Sequence, residues 1–143
     1  MILVDANILL RLGNQSDPEY VRAQRVIFNC RKADQVVIIP QSLYEFWAVA
    51  TRSKDVNGLG MDSAHARPWI TTFQRMFRLL SEPAEIVRTW ADLVDRYAVS
   101  GFRAHDARYV AMMQLHGISQ LLTYNIKHFD QFPITILDPR TLA

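Results

Sequence analysis

Three acidic residues stand where an α/β chain could put them to use. Asp5 closes the apolar run Ile2-Leu3-Val4, Glu45 follows Pro40 shortly after the run Val36-Val37-Ile38-Ile39, and Asp106 comes soon after Gly101. Thr123 and Asn125 stand at the end of another apolar run, Gln120-Leu121-Leu122-Thr123. In an open parallel sheet, ligands bind beyond the carboxyl ends of the strands, so four separated segments would aim acceptor groups at one edge. Carboxylates crowded together repel one another, and one takes up a proton unless a cation sits among them. Oxygen ligands without His or Cys select a hard ion such as Mg²⁺ or Mn²⁺ rather than zinc. Such an ion suits phosphoryl chemistry, because it activates a water and neutralises charge developing on the phosphate and the leaving oxygen. Singly, each residue has a plainer use. Asp5 could cap the Ala6-Asn7-Ile8 turn, Glu45 could be a half-exposed helix residue, Asp106 a first-turn acid and Asn125 a turn residue. Their joint occurrence at one sheet edge is the signal.

The elements that must position them follow from the pattern of apolar residues. Apolar runs without alternation suit strands covered on both faces, and residues 2–4, 36–39, 120–123 and 134–137 are of that kind, with Glu85-Ile86-Val87 a shorter candidate. Ser16-Asp17-Pro18-Glu19 reads as a capping box with Pro in the first turn, so a helix is expected to begin there, with Tyr20, Ala23, Ile27 and Cys30 on its apolar face. Leu43, Phe46, Trp47 and Ala50 form the next face, and Lys54 to Gly60 reads as a loop. Trp69, Phe73, Met76, Phe77 and Leu80 line a third helix, with Pro68 placed near its start. Trp90, Leu93, Val94 and Tyr97 mark a fourth, and Ala107, Val110, Ala111 and Leu115 a fifth that His116-Gly117 stops. The order β-α-α-β-α-α-β-α-α-β-β predicts an α/β fold of three layers, α/β/α, around a central and mainly parallel sheet. The aromatic bulk of Trp69, Phe73, Phe77, Trp90 and Tyr97 is expected in the core, with a partner-binding groove as the alternative.

Composition narrows the classes. The chain has 143 residues, enough for one domain spanning 1–143 and no second core. Sixteen Lys+Arg against fourteen Asp+Glu leave a net charge of +2, too mild to imply nucleic-acid binding by bulk charge. The single cysteine, Cys30, excludes an internal disulfide and a Cys-based zinc site, and points to a reducing, cytoplasmic setting. The start reaches a charge at Asp5, which argues against a secretion signal, and no apolar run is long enough to span a membrane. The histidines at 65, 105, 116 and 128 show no metal-binding spacing, and neither a Gly-x-Gly-x-x-Gly nor a Walker loop is present. Arg11, Arg52, Lys54, Arg103, Arg108 and Lys127 flank the acidic segments and could contact phosphates, and His105 adjoins Asp106.

Taken in order, these segments resemble the PIN-domain ribonucleases, and among them the VapC-type toxins of bacterial toxin–antitoxin pairs. The matching pieces are Ile2-Leu3-Val4-Asp5-Ala6-Asn7, Gln41-Ser42-Leu43-Tyr44-Glu45-Phe46, Arg103-Ala104-His105-Asp106-Ala107, Leu122-Thr123-Tyr124-Asn125-Ile126-Lys127-His128-Phe129 and Ile134-Thr135-Ile136-Leu137-Asp138-Pro139. Each is short; their order and their span over nearly the whole chain make the match specific. The resemblance implies a Mg²⁺-dependent endoribonuclease, with Mn²⁺ as an alternative ion. On the family's pattern Asp5 and Asp106 would bind the metal, and Glu45 would complete the acidic cluster. Asn125 stands where many members carry a further acid, and Asn7 and Thr123 would support the metal ligands by hydrogen bonds. Arg11, Arg103, His105 and Lys127 would contact substrate, and His128, in place of another common acid, reads as peripheral. The resemblance further implies an antitoxin partner, a homodimer, and operator DNA bound only through the antitoxin complex. The expected reaction is metal-assisted hydrolysis of RNA, leaving 3′-hydroxyl and 5′-phosphate ends. Two other readings compete with it. One is a PIN-like RNA- or protein-binding module in which Asn125 has weakened turnover. The other is a haloacid-dehalogenase-like phosphatase, which needs an acid where this chain has Asn7.

Overall fold

The structure, a computed structural model, describes residues 1–142. Five strands form one sheet: β1 (Ile2–Val4), β2 (Val36–Ile38), β3 (Arg78–Leu79), β4 (Gln120–Leu122) and β5 (Thr135–Leu137). All neighbours pair in parallel, in the spatial order β3-β2-β1-β4-β5. The first strand in sequence is therefore central, with Leu3 opposite both Val37 and Leu121. Parallel neighbours require crossover connections, and the helices that supply them cover both faces. Along β1 the side chains alternate between two cores. Ile2 and Val4 join Val36, Ile38 and Leu122 in one cluster, while Leu3 joins Val37 and Leu121 in the other. The result is the expected α/β/α arrangement, with a sheet that is parallel throughout.

The first cluster is closed by α1 (Ala6–Leu12), α2 (Tyr20–Ala33), α3 (Pro40–Thr51) and α4 (Ser63–Met76). The second is closed by α5 (Ile86–Arg96) and α6 (Arg103–His116). A 3₁₀ turn at Lys54–Val56 and a single-turn helix α7 (Ile126–Phe129) complete the chain's regular structure among the described residues. Gly117 ends α6 in the left-handed conformation (φ 68°), which an L side chain adopts at a cost. The expected aromatic core holds for Phe73 and Phe77, both buried, and Trp69 stacks on Phe73 at 5.5 Å.

Three expectations need correction. Glu85-Ile86-Val87 is not a strand: Ile86 opens α5, where it shares a face with Trp90, Leu93, Val94 and Tyr97. The third strand is instead the two-residue edge Arg78-Leu79, exposed and too short to show any period. The helix expected at Ser16 begins at Tyr20, because the Ser16 hydroxyl donates to Asn14 Oδ1 and it is Asp17 that receives the Glu19 amide. Pro68 lies inside α4 rather than near its start, since Asp62 caps that helix by accepting from the His65 amide. The described residues include no helix long and apolar enough to cross a membrane.

Candidate active site

Asp5 leaves β1 in extended conformation and precedes α1, but its side chain does not cap that helix. The Thr123 hydroxyl donates to its Oδ2 at 2.7 Å, and Asn7 Nδ2 donates to the same oxygen at 3.1 Å. Thr123 Oγ1 also accepts from Asn7 Nδ2 at 3.1 Å and from the Asn125 amide at 2.9 Å. Asn7 Oδ1 accepts from the Tyr124 amide at 3.3 Å. This knot joins the ends of β1 and β4, which are hydrogen-bonded neighbours, so the parallel pairing itself delivers Thr123 to Asp5. Asp5 is buried, 5% exposed. Burial pushes its pKa up to about 6; the Thr123 hydrogen bond opposes this, and the charges of Glu45 and Asp106 add to it.

Glu45 arrives from α3. Pro40 opens that helix and Ser42 anchors it, its hydroxyl donating to the Val4 carbonyl at 3.1 Å while accepting from the Ile39 amide at 3.3 Å. Glu45, one turn after Ser42, shares a cavity of about 230 Å³ with Asp5, Asn7 and Asn125. Gln41 Nε2 donates to its Oε1 at 2.7 Å and the Tyr109 hydroxyl donates to its Oε2 at 3.0 Å. Asp106 lies in the first turn of α6, outside the lining of that cavity. Its pKa is likewise pushed to about 6, by burial first and then by the charge of Glu45, against the lowering effect of Arg103 and His105.

The expected substrate residues do not share one fate. Arg103 stands 3.9 Å from Asp106, and Lys127 is exposed on α7. His105 is exposed, its carbonyl accepting from Gln41 Nε2 at 2.7 Å, and it lines a second cavity with Trp90 and Arg108. Arg11 is turned to structure: it donates to the Asn7 carbonyl at 2.9 Å and lies over the Tyr124 ring at 4.2 Å. Arg108 pairs with Glu82. His128 is not peripheral, since its Nδ1 lies 3.3 Å from Asp106 Oδ2. Burial and the charge of Arg103 hold its pKa below the ordinary histidine value. Gln41, Tyr109 and His128 are the residues that the sequence did not single out for the site. The spacing Gln41–Glu45, one helical turn, was the only local signal for any of them.

Among the described residues no three His, Cys, Asp or Glu side chains converge closely enough to enclose an ion by themselves. The donor set is nonetheless all oxygen, and Asp5 is raised by the negative charge of both other acids. Magnesium keeps several waters and takes only one or two protein carboxylates, so the residues fit a cation of this kind. The profile of the PIN domain matches residues 2–134. The chain belongs to the PIN domain family. Ribonuclease VapC24 of Mycobacterium tuberculosis is 27% identical over 143 residues, spanning 99% of this chain and 98% of the relative. The resemblance to VapC-type proteins thus runs the length of the chain. Among solved structures, Mycobacterium tuberculosis VapC20, a sarcin–ricin loop cleaving toxin, superposes with a TM-score of 0.64 at 19% identity over 85% of this chain and 87% of that one. VapBC2 of Rickettsia felis, solved on a DNA fragment from its promoter, gives 0.69 at 17% identity over 96% and 98%. At these identities the two structures speak for the fold of this PIN domain alone.

Proposed function

We propose that this chain is a metal-dependent endoribonuclease and the toxin of a toxin–antitoxin pair. The observation that carries the reading is the hydrogen-bonded framework that ties the segments of Asp5, Glu45 and Asp106 together: Tyr109 bonds Glu45 and the Ala6 amide, and Gln41 bonds Glu45 and the His105 carbonyl. Asp5 and Asp106, with Glu45 beside them, would hold Mg²⁺ or Mn²⁺. Bound there, the ion would lower the pKa of a water and offset charge developing on the phosphate and the leaving oxygen.

The chain's own residues prepare that chemistry. Thr123 and Asn7 hold Asp5 in one orientation, so that its carboxylate is set before substrate arrives. Glu45 faces the cavity with both oxygens hydrogen-bonded, ready to accept a hydrogen bond from the attacking water and align it. Asn125, neutral and exposed at the same cavity, offers an amide to a phosphate oxygen without adding negative charge. Arg103 and Lys127, exposed nearby, draw in the RNA backbone. The names of VapC24 and VapC20 support RNA as the substrate class. The VapBC2 complex on its promoter fragment supports an antitoxin partner, with operator DNA reached through it. A homodimer and a cytoplasmic setting belong to the same reading.

The test is cleavage of RNA by purified protein in Mg²⁺, with and without EDTA, beside Asp5→Asn and Asp106→Asn. Cleavage lost with EDTA and in both variants supports the reading; equal activity in every sample overturns it. Binding of RNA with no cleavage and no Mg²⁺ affinity would favour a binding module instead.

A further inference from the structure

Two buried side chains converge on Glu45 from different elements. Gln41 is 3% exposed and Tyr109 is 1% exposed, and each donates to a different oxygen of the carboxylate, at 2.7 and 3.0 Å. Each also holds a second partner. Gln41 Nε2 reaches the His105 carbonyl in the turn that carries Asp106, and the Tyr109 oxygen accepts from the Ala6 amide, next to Asp5, at 3.4 Å. One pair of side chains therefore ties the segments of all three acids together.

Packing alone does not account for these residue types. Phe at position 109 would fill the same volume, and an apolar residue at 41 would avoid burying an amide. Burying an amide or hydroxyl costs on the order of 1–3 kcal/mol unless hydrogen bonds compensate. Gln41 Oε1 is buried with no partner, so that cost is only partly offset. What the two residues do secure is the direction of Glu45. A glutamate has three side-chain torsions, and a half-buried one at a cavity wall would otherwise sample several rotamers. With one hydrogen bond on each oxygen, the plane of the carboxylate is set.

We infer that Gln41 and Tyr109 are positioning residues that hold the Glu45 carboxylate toward the cavity it shares with Asp5. They set the rate of RNA cleavage and the cation affinity of the cluster, not the affinity for RNA. The inference rests on the ribonuclease reading above.

Tyr109→Phe and Gln41→Met test it, because both keep apolar volume and remove the donor. In Mg²⁺, kcat is expected to fall about 10- to 100-fold in each, the range found for supporting shells of metal sites, with KM for RNA changed less than about twofold. Titration of the purified proteins with Mn²⁺ should show affinity weakened roughly 10-fold. In a Glu45→Gln background, Tyr109→Phe should add less than about twofold to either loss, since the group it positions is already altered. Thermal melts confirm that each variant is folded, and one folded variant suffices. An active wild type with variants unchanged in kcat and Mn²⁺ affinity overturns the inference alone. So do losses that multiply fully in the Glu45→Gln background, which would show an effect through the fold. A wild-type chain that neither cleaves RNA nor binds Mn²⁺ overturns the ribonuclease reading, and this inference with it.

Discussion

Asp5 and Asp106 reach the same elevated pKa, about 6, in opposite surroundings. Asp5 is sealed at the strand end and receives its hydrogen bonds from neutral donors, Thr123 and Asn7. Asp106 keeps a side chain 20% exposed and faces Arg103 and His128. Burial is the leading cause at both, yet only at Asp106 do nearby basic groups pull the other way. The lesson is that one wall of the site is built by the sheet and its neutral donors, while the other is built by a helix start beside the exposed Arg103. Substitutions on the first wall should therefore disturb stability and chemistry together. On the second wall the two effects should separate.

The largest effect is on cleavage, where the two walls should behave alike. Asp5→Asn and Asp106→Asn are each expected to lower Mg²⁺-dependent turnover by about 100-fold or more, read by single-turnover cleavage of a labelled RNA.

Stability reads the first wall directly. A carboxyl whose pKa is raised on folding contributes stability below its unfolded value, and loses it as pH rises through the folded value. For Asp5 that window runs from about 4 to about 6, so the metal-free protein carries an ionised, buried carboxylate at pH 7.5. Asp5→Asn should stabilise the metal-free protein there by roughly 3 kcal/mol, a gain about halved at pH 5 and lost below about pH 4. Urea unfolding at the two pH values measures it; a gain independent of pH would break the comparison.

Thr123→Val comes next, at about 1–3 kcal/mol of destabilisation, because it strips the buried Asp5 of a donor and leaves the Asn125 amide without its acceptor. Arg103→Ala is the smallest. Its ion pair is half exposed and solvent-screened, so unfolding should shift by less than about 0.5 kcal/mol. A rise in KM for RNA with kcat nearly unchanged would place Arg103 on the backbone rather than in the chemistry.

Much of this site was legible before folding. An apolar run broken by an acid marks a strand end, which is the cue for Asp5; Glu45 follows an apolar run and the helix-opening Pro40, and Asp106 follows Gly101 at a helix start. Asn7 and Thr123 were legible for the same reason, being within two residues of Asp5 and of the end of β4. The misreadings have local causes too. Glu85-Ile86-Val87 is a short apolar segment that a strand or the first turn of a helix can hold, and Arg78-Leu79 is a strand only because β2 lies beside it. Arg11 looked free for substrate because nothing nearby in sequence announces the Tyr124 ring that it covers. His128 looked peripheral because Asp106 is far from it along the chain.

What the sequence determined by itself is most of the elements, β3 excepted, and the acids that follow them, since strand and helix periods and capping depend on neighbours a few residues away. Tertiary structure alone decided how those acids behave. The Glu45–Tyr109 hydrogen bond joins residues 64 apart, and the Thr123–Asp5 bond residues 118 apart. Desolvation of Asp5 likewise depends on atoms from several segments packed around it. Hydrogen bonds and burial act over a few ångströms in space regardless of distance along the chain, so only the folded sheet brings the segments of these three carboxylates together.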